Sequence, residues 1–521
     1  MRQNKEIERP FVCNQNATRS SAGRRDAARC PALSAAGSSS LRVRSSHLLA
    51  WCGPCLPVAA MGLPLVVYLP PYYAGTLGMP LATVGFIFAV VRLLDIPVDP
   101  LIGALMDNTR SRFGQFRPWM VAGGVILMLG VWLMFMAAPG IQPWQAFASL
   151  FILYIGFSCV YLAQTAWGSR LSPDYAERAR IFGWWTAMNV AGTLMVLLVP
   201  PLAGRFVEGA TTATGIQAMG WFIIALLPLT VLAAAAIVPE GAAAIVPEGA
   251  AATVPQGAAA IAPEGAATIA PEGAATIEGG HGVRLRDLKI VLADRRMLRL
   301  LAADLLMSVV PGITGALFLF FFVAAKGTTV AAASTLLLFY FVAGLAAAPL
   351  WIRAAARFGK HRAAAAAVLM LGLTQLGVVA VPEGNFALAA ISMAIAGIPF
   401  AAPAFLLRAM LADLNDAQAL DRLDSGGAAL DTTGLNFALL TATAKLGYAI
   451  PVGLTYPILA LIGFNAAPGA ANSESAIAGL ITLFIVPPLA LAALAAIIVW
   501  RWPITAEAHA LVRQRLNGQP G

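Results

Sequence analysis

Long apolar stretches alternate with short polar connections along most of this 521-residue chain. A helix needs about 20 apolar residues to cross a lipid bilayer, and the stretches have that length. The pattern therefore predicts an all-α integral membrane protein with twelve transmembrane helices. The predicted spans lie near residues 52–74, 82–106, 118–138, 144–168, 182–203, 217–238, 298–325, 329–352, 363–381, 386–410, 436–462 and 475–500.

Composition and charge support the same class. Hydrophobic residues make up 59% of the chain and charged residues 11%, whereas a soluble domain has about 25% charged residues. The net charge is +9, and much of it lies in residues 1–48, which are rich in Arg and Ser and are predicted to be a disordered basic tail. The remaining excess lies in connections, where it sets membrane topology, so we expect no nucleic-acid partner.

Basic residues follow the even-numbered predicted spans and are almost absent after the odd-numbered ones. Because cytoplasmic connections carry an excess of Lys and Arg, the even-numbered connections and both termini are predicted to be cytoplasmic, in a plasma (bacterial inner) membrane. The basic residues concerned are Arg110, Arg112, Arg117, Arg178, Arg180, Arg284, Arg286, Lys289, Arg295, Arg296, Arg353, Arg357, Lys360, Arg362 and Arg422.

A repeat of eight residues separates the sixth and seventh predicted spans. Its units contain Pro-Glu-Gly or Pro-Gln-Gly, from Pro239 to the unit at Pro271. Proline at this spacing breaks helices, so we predict a flexible cytoplasmic linker that ends in a basic segment along the membrane surface. The predicted division of the chain is 49–238 for six spans, 239–297 for the linker, 298–500 for six more spans and 501–521 for a cytoplasmic tail.

Two acidic side chains, Asp95 and Asp99, lie inside the second predicted span. Four residues apart in a helix, they are about 40° apart around the axis and share one face. A carboxylate at mid-bilayer costs about 2.5–3.5 kcal/mol or more unless it is paired or solvated. The pair therefore predicts a site that captures a cation. The alternative is a structural ion pair between Arg92 and Asp95, which leaves Asp99 unexplained.

The segment Trp51-Cys52-Gly53-Pro54-Cys55 matches a thioredoxin-type redox sequence. That chemistry requires a strand–turn–helix setting, whereas apolar residues surround this segment, so a membrane thiol–disulfide oxidoreductase is the less favoured alternative. All four histidines fall outside the predicted spans. The chain also lacks a nucleotide-binding glycine loop followed by Lys-Ser/Thr. We therefore expect no enzyme activity, no cofactor and no ATP drive.

Several motifs, taken in chain order, resemble those of one transporter family. They are Tyr68-Leu-Pro70-Pro71-Tyr72-Tyr73, Asp95-Ile-Pro-Val-Asp99-Pro100-Leu-Ile-Gly103, Asp107-Asn108-Thr109-Arg110-Ser-Arg112-Phe-Gly114-Gln-Phe-Arg117-Pro118-Trp119, Ala166-Trp167-Gly168, Pro311-Gly312-Ile-Thr314-Gly315 and Asn436-Phe437 through Lys445. Over about residues 50–510, the chain resembles the glycoside–pentoside–hexuronide:cation symporter family, the melibiose-permease-like branch of the major facilitator superfamily.

The resemblance implies two six-helix bundles that rock around a central cavity, with binding near the bilayer midplane. It also implies symport of a small polar solute, such as a sugar or glycoside, with Na⁺ or H⁺ by a single chain. The residues that match family positions are Asp95 and Asp99 for the cation, Lys445 for the lone intramembrane lysine, Trp167 for sugar stacking, and Asp107, Arg110, Arg112 and Arg117 for the gating loop.

Further solute-binding candidates are Tyr68, Tyr72, Gln164 and Trp185, predicted from polarity and position, together with Arg92 and Lys445. The chain also departs from the sugar-transporting members of the family. The first and fourth predicted spans lack an acid, and Gly183-Trp184-Trp185-Thr186 stands where related sequences carry Gly-Trp-Arg. The solute therefore stays open between a sugar or glycoside and a non-sugar or amphiphilic molecule, and uncoupled facilitation is a further alternative.

Overall fold

A computed structural model describes residues 43–172, 175–206, 211–240, 285–424 and 432–516. Within these residues, twelve helical segments are long and apolar enough to cross a bilayer, as predicted. In chain order, spans 1–12 are Ser45–Thr76, Leu81–Asp107, Arg117–Phe135, Pro143–Arg170, Arg180–Phe206, Thr212–Ile237, Arg295–Ala325, Val330–Phe358, Lys360–Val379, Phe386–Asp424, Thr433–Leu461 and Glu474–Trp500.

Spans 1, 7 and 10 are broken or irregular, whereas the others are each one continuous helix. Proline lacks the backbone N–H of a regular turn; in span 1, one wide π-helical turn begins at Pro64 and a second follows directly after Pro71. Span 1 consists of Ser45–Cys52, Cys55–Leu63, Pro64–Tyr68, Leu69–Pro71 and Tyr72–Thr76; span 7 of Arg295–Phe320 and Phe321–Ala325; span 10 of Phe386–Gly397 and Ala402–Asp424.

Some element ends differ from the predicted ones. Span 1 begins at Ser45, inside the predicted tail, because Leu48 and Trp51 are already buried against the bundle. A short helix, Leu285–Ala293, lies in the predicted linker, and another, Ala506–Leu516, lies in the predicted C-terminal tail. The helix of span 5 begins at Tyr175. The predictions of a disordered tail before residue 43 and of a flexible repeat over 241–284 lie outside the described residues.

Glycine lets neighbouring spans approach closely. A Cβ at Gly130 of span 3 would lie 2.5 Å from the Cα of Leu153 on span 4, and one at Gly156 would meet the backbone of Leu127 in return. In the second half, a Cβ at Gly447 of span 11 would meet Ser308 of span 7. Small residues at helix contacts are typical of membrane proteins, where close packing replaces the hydrophobic effect between helices.

The two halves of the molecule are joined at one end. Connections are numbered here by the span that precedes them. Close to the odd-numbered connections, a Cβ at Gly85 would lie 2.9 Å from the carbonyl oxygen of Val452. At the same end, the Tyr68 hydroxyl donates a hydrogen bond to Ser334 Oγ at 2.8 Å. These contacts join span 2 to span 11 and span 1 to span 8.

The apolar core divides in the same way. One cluster contains buried residues of spans 1–6 together with residues of the later spans near the odd-numbered connections, such as Phe321 and Tyr456. The other contains only residues from the second half, toward the even-numbered connections, such as Trp351 and Leu406. Within the described residues, the halves therefore share one core at the odd-numbered end and have separate cores at the even-numbered end.

The start of span 7 is fixed by Asp294, which lies just outside the membrane-spanning segment. Its Oδ1 accepts from the backbone N–H of Arg296 at 2.8 Å, and its Oδ2 accepts from Gln418 Nε2 at 2.8 Å. Burial by itself raises the pKa of a carboxyl, but the hydrogen bonds from Arg296 and Gln418 outweigh it and lower the pKa of Asp294. This cap ties span 7 to span 10.

Candidate cation and solute site

Span 2 presents Asp95 and Asp99 to the other half of the molecule. Asp95 is 2% exposed, and the Asp99 side chain is 19% exposed. Ser158 of span 4 lies between them, since its hydroxyl is 2.6 Å from Asp99 Oδ1 and 3.1 Å from Asp95 Oδ1. A hydroxyl carries one hydrogen, so Ser158 serves one carboxylate at a time.

Lys445 of span 11 reaches across from the other half of the molecule. Its Nζ is 2.9 Å from Asp95 Oδ2, and it also donates to Asp99 Oδ2. The Lys445 side chain is 10% exposed, so the ammonium and both carboxylates interact in a region of low dielectric. The structure therefore brings together the two aspartates that match the family's cation site and Lys445, which matches its lone intramembrane lysine.

The main contact of Arg92 is not the ion pair with Asp95 that the sequence offered as an alternative to a cation site. Its Nη1 lies 4.0 Å from Asp95 Oδ2, at the limit of an ion pair. Its guanidinium lies over the ring of Tyr154, 4.9 Å from the centroid. Lys445, and not Arg92, is thus the main charge partner of Asp95.

The donor set around the ammonium suits a small hard cation or a proton. Carboxylate oxygens of Asp95 and Asp99 and the hydroxyl oxygen of Ser158 converge there, and oxygen is the ligand atom that hard cations take. The Lys445 ammonium stands in for a monovalent cation in this arrangement. The described part of the chain holds no group of three or more His, Cys, Asp or Glu side chains placed to bind a metal ion.

Three of the predicted solute-binding residues lie together on spans 4 and 5. Gln164 and Trp167 share one face of span 4, three residues apart, and Trp185 of span 5 contacts Tyr161 one turn away, with ring centroids 5.8 Å apart. Gln164 Oε1, Trp167 Nε1 and Trp185 Nε1 are buried and have no hydrogen-bond partner among the described residues. Such unpaired buried atoms are rare in folded proteins and require an explanation.

The other solute candidates are engaged elsewhere. The hydroxyls of Tyr68 and Tyr72 donate to Ser334 and to the carbonyl of Ala137, so they do not meet the span 4 residues. The face of the Trp167 ring is covered by the Arg117 guanidinium, 5.8 Å from its centroid. The solute-binding roles of these side chains stay predictions.

Three of the four residues predicted for the gating loop are exposed, and the fourth, Arg117, is hydrogen-bonded within the first half of the chain. Asp107, Arg110 and Arg112 are exposed. Arg117 donates from Nη2 to the carbonyl oxygen of Val238 at 2.6 Å. The gating role of the loop stays a prediction.

Sequence reasoning missed Glu240, which holds this loop. Its carboxylate accepts backbone N–H hydrogen bonds from Gln115 at 2.5 Å, Phe116 at 3.0 Å and Arg117 at 2.6 Å. These are free donors at the start of span 3, and a negative charge there is favoured by the helix dipole. Glu240 belongs to the first Pro-Glu-Gly unit, and nothing in the sequence distinguishes that unit from the later ones.

Two charged residues inside the spans of the second half, the buried Asp304 and the half-buried Arg408, were also missed. Asp304 of span 7 is 7% exposed and lies 2.6 Å from Thr443 Oγ1. Arg408 of span 10 interacts electrostatically with Tyr161 and Tyr448. Both are ionisable residues inside predicted spans, which is the signal that was used for Asp95 and that could have identified them.

A small apolar cavity of about 100 Å³ lies between span 1 and the second half. Val66, Phe318 and Phe341 are among its apolar lining residues, and Tyr340 and Tyr448 are among its polar ones. None of the predicted site residues lines it. It is large enough for a few water molecules and too small for a disaccharide.

The cysteines of the thioredoxin-like segment are inaccessible in this conformation. Cys52 is 0% exposed and Cys55 is 1% exposed. Cys55 Sγ accepts a hydrogen bond from the Gln164 amide at 3.2 Å. Because thiol–disulfide exchange needs a thiol that a partner can reach, the burial of both thiols argues against the redox alternative.

Comparison with known proteins identifies the family to which most of this chain is similar. The sequence matches the model of a family described as MFS/sugar transport protein over residues 52–258 and 271–506. A lactose permease of Lactobacillus helveticus is 30% identical over 168 residues, which cover 29% of this chain and 24% of that protein. The inner membrane symporter YicJ of Escherichia coli (strain K12) is 28% identical over 174 residues, 32% of this chain and 37% of YicJ.

A third relative, the putative glycoside/cation symporter YagG of the same strain, is 30% identical over 129 residues, 24% of this chain and 28% of YagG. The matches thus span between 24% and 37% of these relatives' own length. Among solved structures, the crystal structure of nucleoside transporter NupG superposes with a TM-score of 0.57 at 13% identity, covering 90% of this chain and 100% of that one. At that identity the likeness concerns the fold.

Proposed function

Because this chain belongs to the MFS/sugar transport family, in its glycoside–pentoside–hexuronide:cation symporter branch, we propose that it is a secondary active transporter and not an enzyme. It couples the movement of Na⁺ or H⁺ to that of a small polar solute by alternating access. The observation that carries this proposal is the contact of Lys445, on one bundle, with Asp95 and Asp99 on the other.

The mechanism follows from the charges at this contact. In the described conformation the Lys445 ammonium binds the carboxylates of Asp95 and Asp99 and so ties the two bundles together. A cation that binds Asp95 and Asp99 neutralises them and releases Lys445, which weakens one tie between the bundles. Since a ligand shifts a conformational equilibrium only by its differential affinity for the two states, coupling requires that cation and solute favour the same state.

The solute side of the proposal rests on spans 4 and 5. The unpaired polar atoms of Gln164, Trp167 and Trp185 match a solute rich in hydroxyl groups, which both donate and accept. A side-chain rotation that withdraws the Arg117 guanidinium would uncover the Trp167 ring for stacking on a sugar ring. A hexose, a glycoside or a sugar acid has this chemistry.

A second candidate solute is amphiphilic. The apolar cavity beside span 1, with polar atoms only at Thr314, Tyr340, Gln375 and Tyr448, suits an alkyl or aromatic group better than a sugar. An amphiphile would place its polar end near the charged centre and its apolar end in this cavity.

The proposal extends to the setting in the membrane. We place the protein in the plasma membrane of a bacterium, with the even-numbered connections and both termini in the cytoplasm, because those connections carry the Lys and Arg residues. The conformation described then opens toward the cytoplasm. One chain suffices for transport, since it supplies both carboxylates and the lysine.

Proteoliposome uptake tests this function. Labelled lactose, raffinose and an alkyl glycoside are offered under an imposed sodium gradient, a proton gradient or neither. We expect accumulation of at least one solute under one gradient, and loss of accumulation in Asp95→Asn because the cation site loses a charge. Asp421→Asn, at an exposed ion pair with Arg296, is the matched control and keeps wild-type uptake. Equal uptake with and without gradients, or full accumulation by Asp95→Asn, contradicts cation coupling.

A further inference from the structure

Asp304 is a further buried carboxyl inside the spans, and the mechanism above does not use it. It lies on span 7, in the bundle opposite Asp95 and Asp99, and is 7% exposed. Among the described lysine, arginine and histidine side chains, none lies within ion-pair distance of Asp304, whereas Lys445 is engaged with Asp95 and Asp99. Asp304 is therefore buried in a span without a basic partner, which disfavours its ionised form.

The hydrogen bonds around Thr443 indicate the protonation state of Asp304. Thr443 Oγ1 is 2.6 Å from Asp304 Oδ2 and 2.8 Å from the carbonyl oxygen of Leu440. A hydroxyl has one hydrogen to donate, and a carbonyl oxygen or an ionised carboxylate only accepts. Each contact is a full two-centre hydrogen bond at the same time only when Asp304 carries a proton and donates it to Thr443, which in turn donates to Leu440.

The charged and titratable groups around this chain of hydrogen bonds come from three neighbouring spans. Tyr448 of span 11 interacts electrostatically with Asp304, with Arg92 of span 2 and with Arg408 of span 10. On span 12, which also packs on span 7, the sequence has no charged residue between Glu474 and Arg501. Tyr448 thus connects Asp304 to Arg92 and Arg408.

Span 11 also links this position to the cation site. Thr443 and Lys445 are two residues apart, so their side chains point to roughly opposite sides of the helix. One faces Asp304, and the other faces Asp95 and Asp99. A displacement of span 11 when Lys445 is released therefore changes the contact between Thr443 and Asp304.

We propose that Asp304 is a proton-binding site, separate from the cation site at Asp95 and Asp99, which holds a proton in this conformation and releases it during the transport cycle. On release, the O–H bond of the carboxylic acid breaks and its proton passes to water, which leaves the carboxylate. The protonation itself is independent of the proposed function, and only its role in the cycle rests on that function.

Infrared difference spectroscopy of the purified protein tests the protonation. The carbonyl band of a protonated carboxylic acid is followed while pH is raised from acid to alkaline values. We expect a band that persists at neutral pH and is absent from Asp304→Asn. Asp413→Asn is the matched control, because the Asp413 carboxylate is paired with Lys360 Nζ at 2.8 Å, and it keeps the band.

Thr443→Val provides an independent check that does not alter the carboxyl. Removal of the hydroxyl leaves the acid without its acceptor, so the band remains and shifts in frequency. If the wild-type protein shows no neutral-pH band that Asp304→Asn removes, or if Thr443→Val leaves its frequency unchanged, the proposal is overturned.

Uptake at fixed sodium gradient and variable pH tests the role in transport, with the solute that the wild-type protein accumulates as the probe. Above the midpoint, the protonated fraction of a carboxyl falls about tenfold per pH unit. We expect wild-type uptake to follow that fall and uptake by Asp304→Asn to be independent of pH. Identical pH profiles for the wild-type protein and Asp304→Asn would show that Asp304 takes no part in the transport cycle. Absence of uptake in all variants together with an intact infrared band would instead refute the proposed function and not the proton site.

Discussion

At the scale of single residues, Lys445 determines the electrostatics of the centre. Its ammonium contacts two carboxylates of span 2, and the Asp95 side chain is 1% exposed. Removing one member of a buried ion pair typically costs about 3–5 kcal/mol, because it leaves the other charge buried without compensation. Burial makes this contact strong, and for the same reason its release by a cation has a large effect on the interaction between the bundles.

Lys445→Met is therefore expected to lower the free energy of unfolding by about 3–5 kcal/mol, and sodium should recover part of that loss by taking the place of the ammonium. Thermal unfolding in detergent, in sodium chloride and in choline chloride, measures both effects. Lys360→Met is the control, since the Lys360 side chain is 41% exposed and an exposed pair contributes about 1 kcal/mol or less. Equal melting temperatures for Lys445→Met and Lys360→Met would contradict this account.

The polar and charged residues inside the spans were partly predictable from the sequence. Asp95, Asp99 and Lys445 are charges inside apolar segments, and the high cost of such charges identifies them. Ser158 was not predictable, because an isolated serine in a span is common and only the approach of spans 2 and 4 brings it to the carboxylates. Asp304 carried the same signal as Asp95 and was overlooked, and its missing basic partner became visible only in three dimensions.

At the scale of helices, the hydrophobic pattern predicted the number of spans and most of their positions. It did not predict their internal breaks, because local proline content suggests a kink in span 1 but not where its wide turns fall. It also placed Glu240 in a flexible linker, whereas its carboxylate receives three backbone N–H groups at the start of span 3. The contact of Glu240 with these N–H groups depends on where the end of span 6 lies relative to the start of span 3, and no local sequence pattern determines that.

Glu240→Ala is expected to destabilise the first bundle by about 1–2 kcal/mol, the usual effect of losing a helix N-terminal acceptor, and to loosen the loop that contains Arg117. Thermal unfolding and protease cleavage in the loop around Arg112 measure the two effects. Glu248→Ala changes the same position of the next Pro-Glu-Gly unit and serves as the matched control. Indistinguishable melting and cleavage for the two variants would show that Glu240 does not act as a cap.

At the scale of the whole molecule, two apolar cores describe the conformational state. The halves share a core near the odd-numbered connections and have separate cores near the even-numbered ones. Hydropathy predicts two sets of six spans but not this asymmetry, because either end of such a pair of bundles can close with the same sequence. Transport by alternating access requires that the shared core separate while the other end closes.

Gly453 offers a way to bias that equilibrium. A Cβ at this position would lie 2.6 Å from the Cβ of Ala89 on span 2, so Gly453→Leu must push the bundles apart at the odd-numbered end. Overpacking of this kind costs about 1–3 kcal/mol, which corresponds to a shift on the order of ten- to hundredfold in the populations of the two states. Ser334 reports that shift, because it is 0% exposed and hydrogen-bonded to Tyr68 across the interface.

In a background with the five native cysteines replaced by serine, the thiol introduced by Ser334→Cys should react slowly with a membrane-impermeant maleimide. Addition of Gly453→Leu should raise the reaction rate by about tenfold or more, and only from the side of the odd-numbered connections. Gly183→Leu on span 5, where an added Cβ meets nothing within 4 Å, should leave the rate unchanged. An equal reaction rate in the Gly453→Leu and Gly183→Leu backgrounds would mean that the contact between spans 2 and 11 does not hold the odd-numbered end closed. In that case, a leucine side chain forced between these two spans would not expose residue 334.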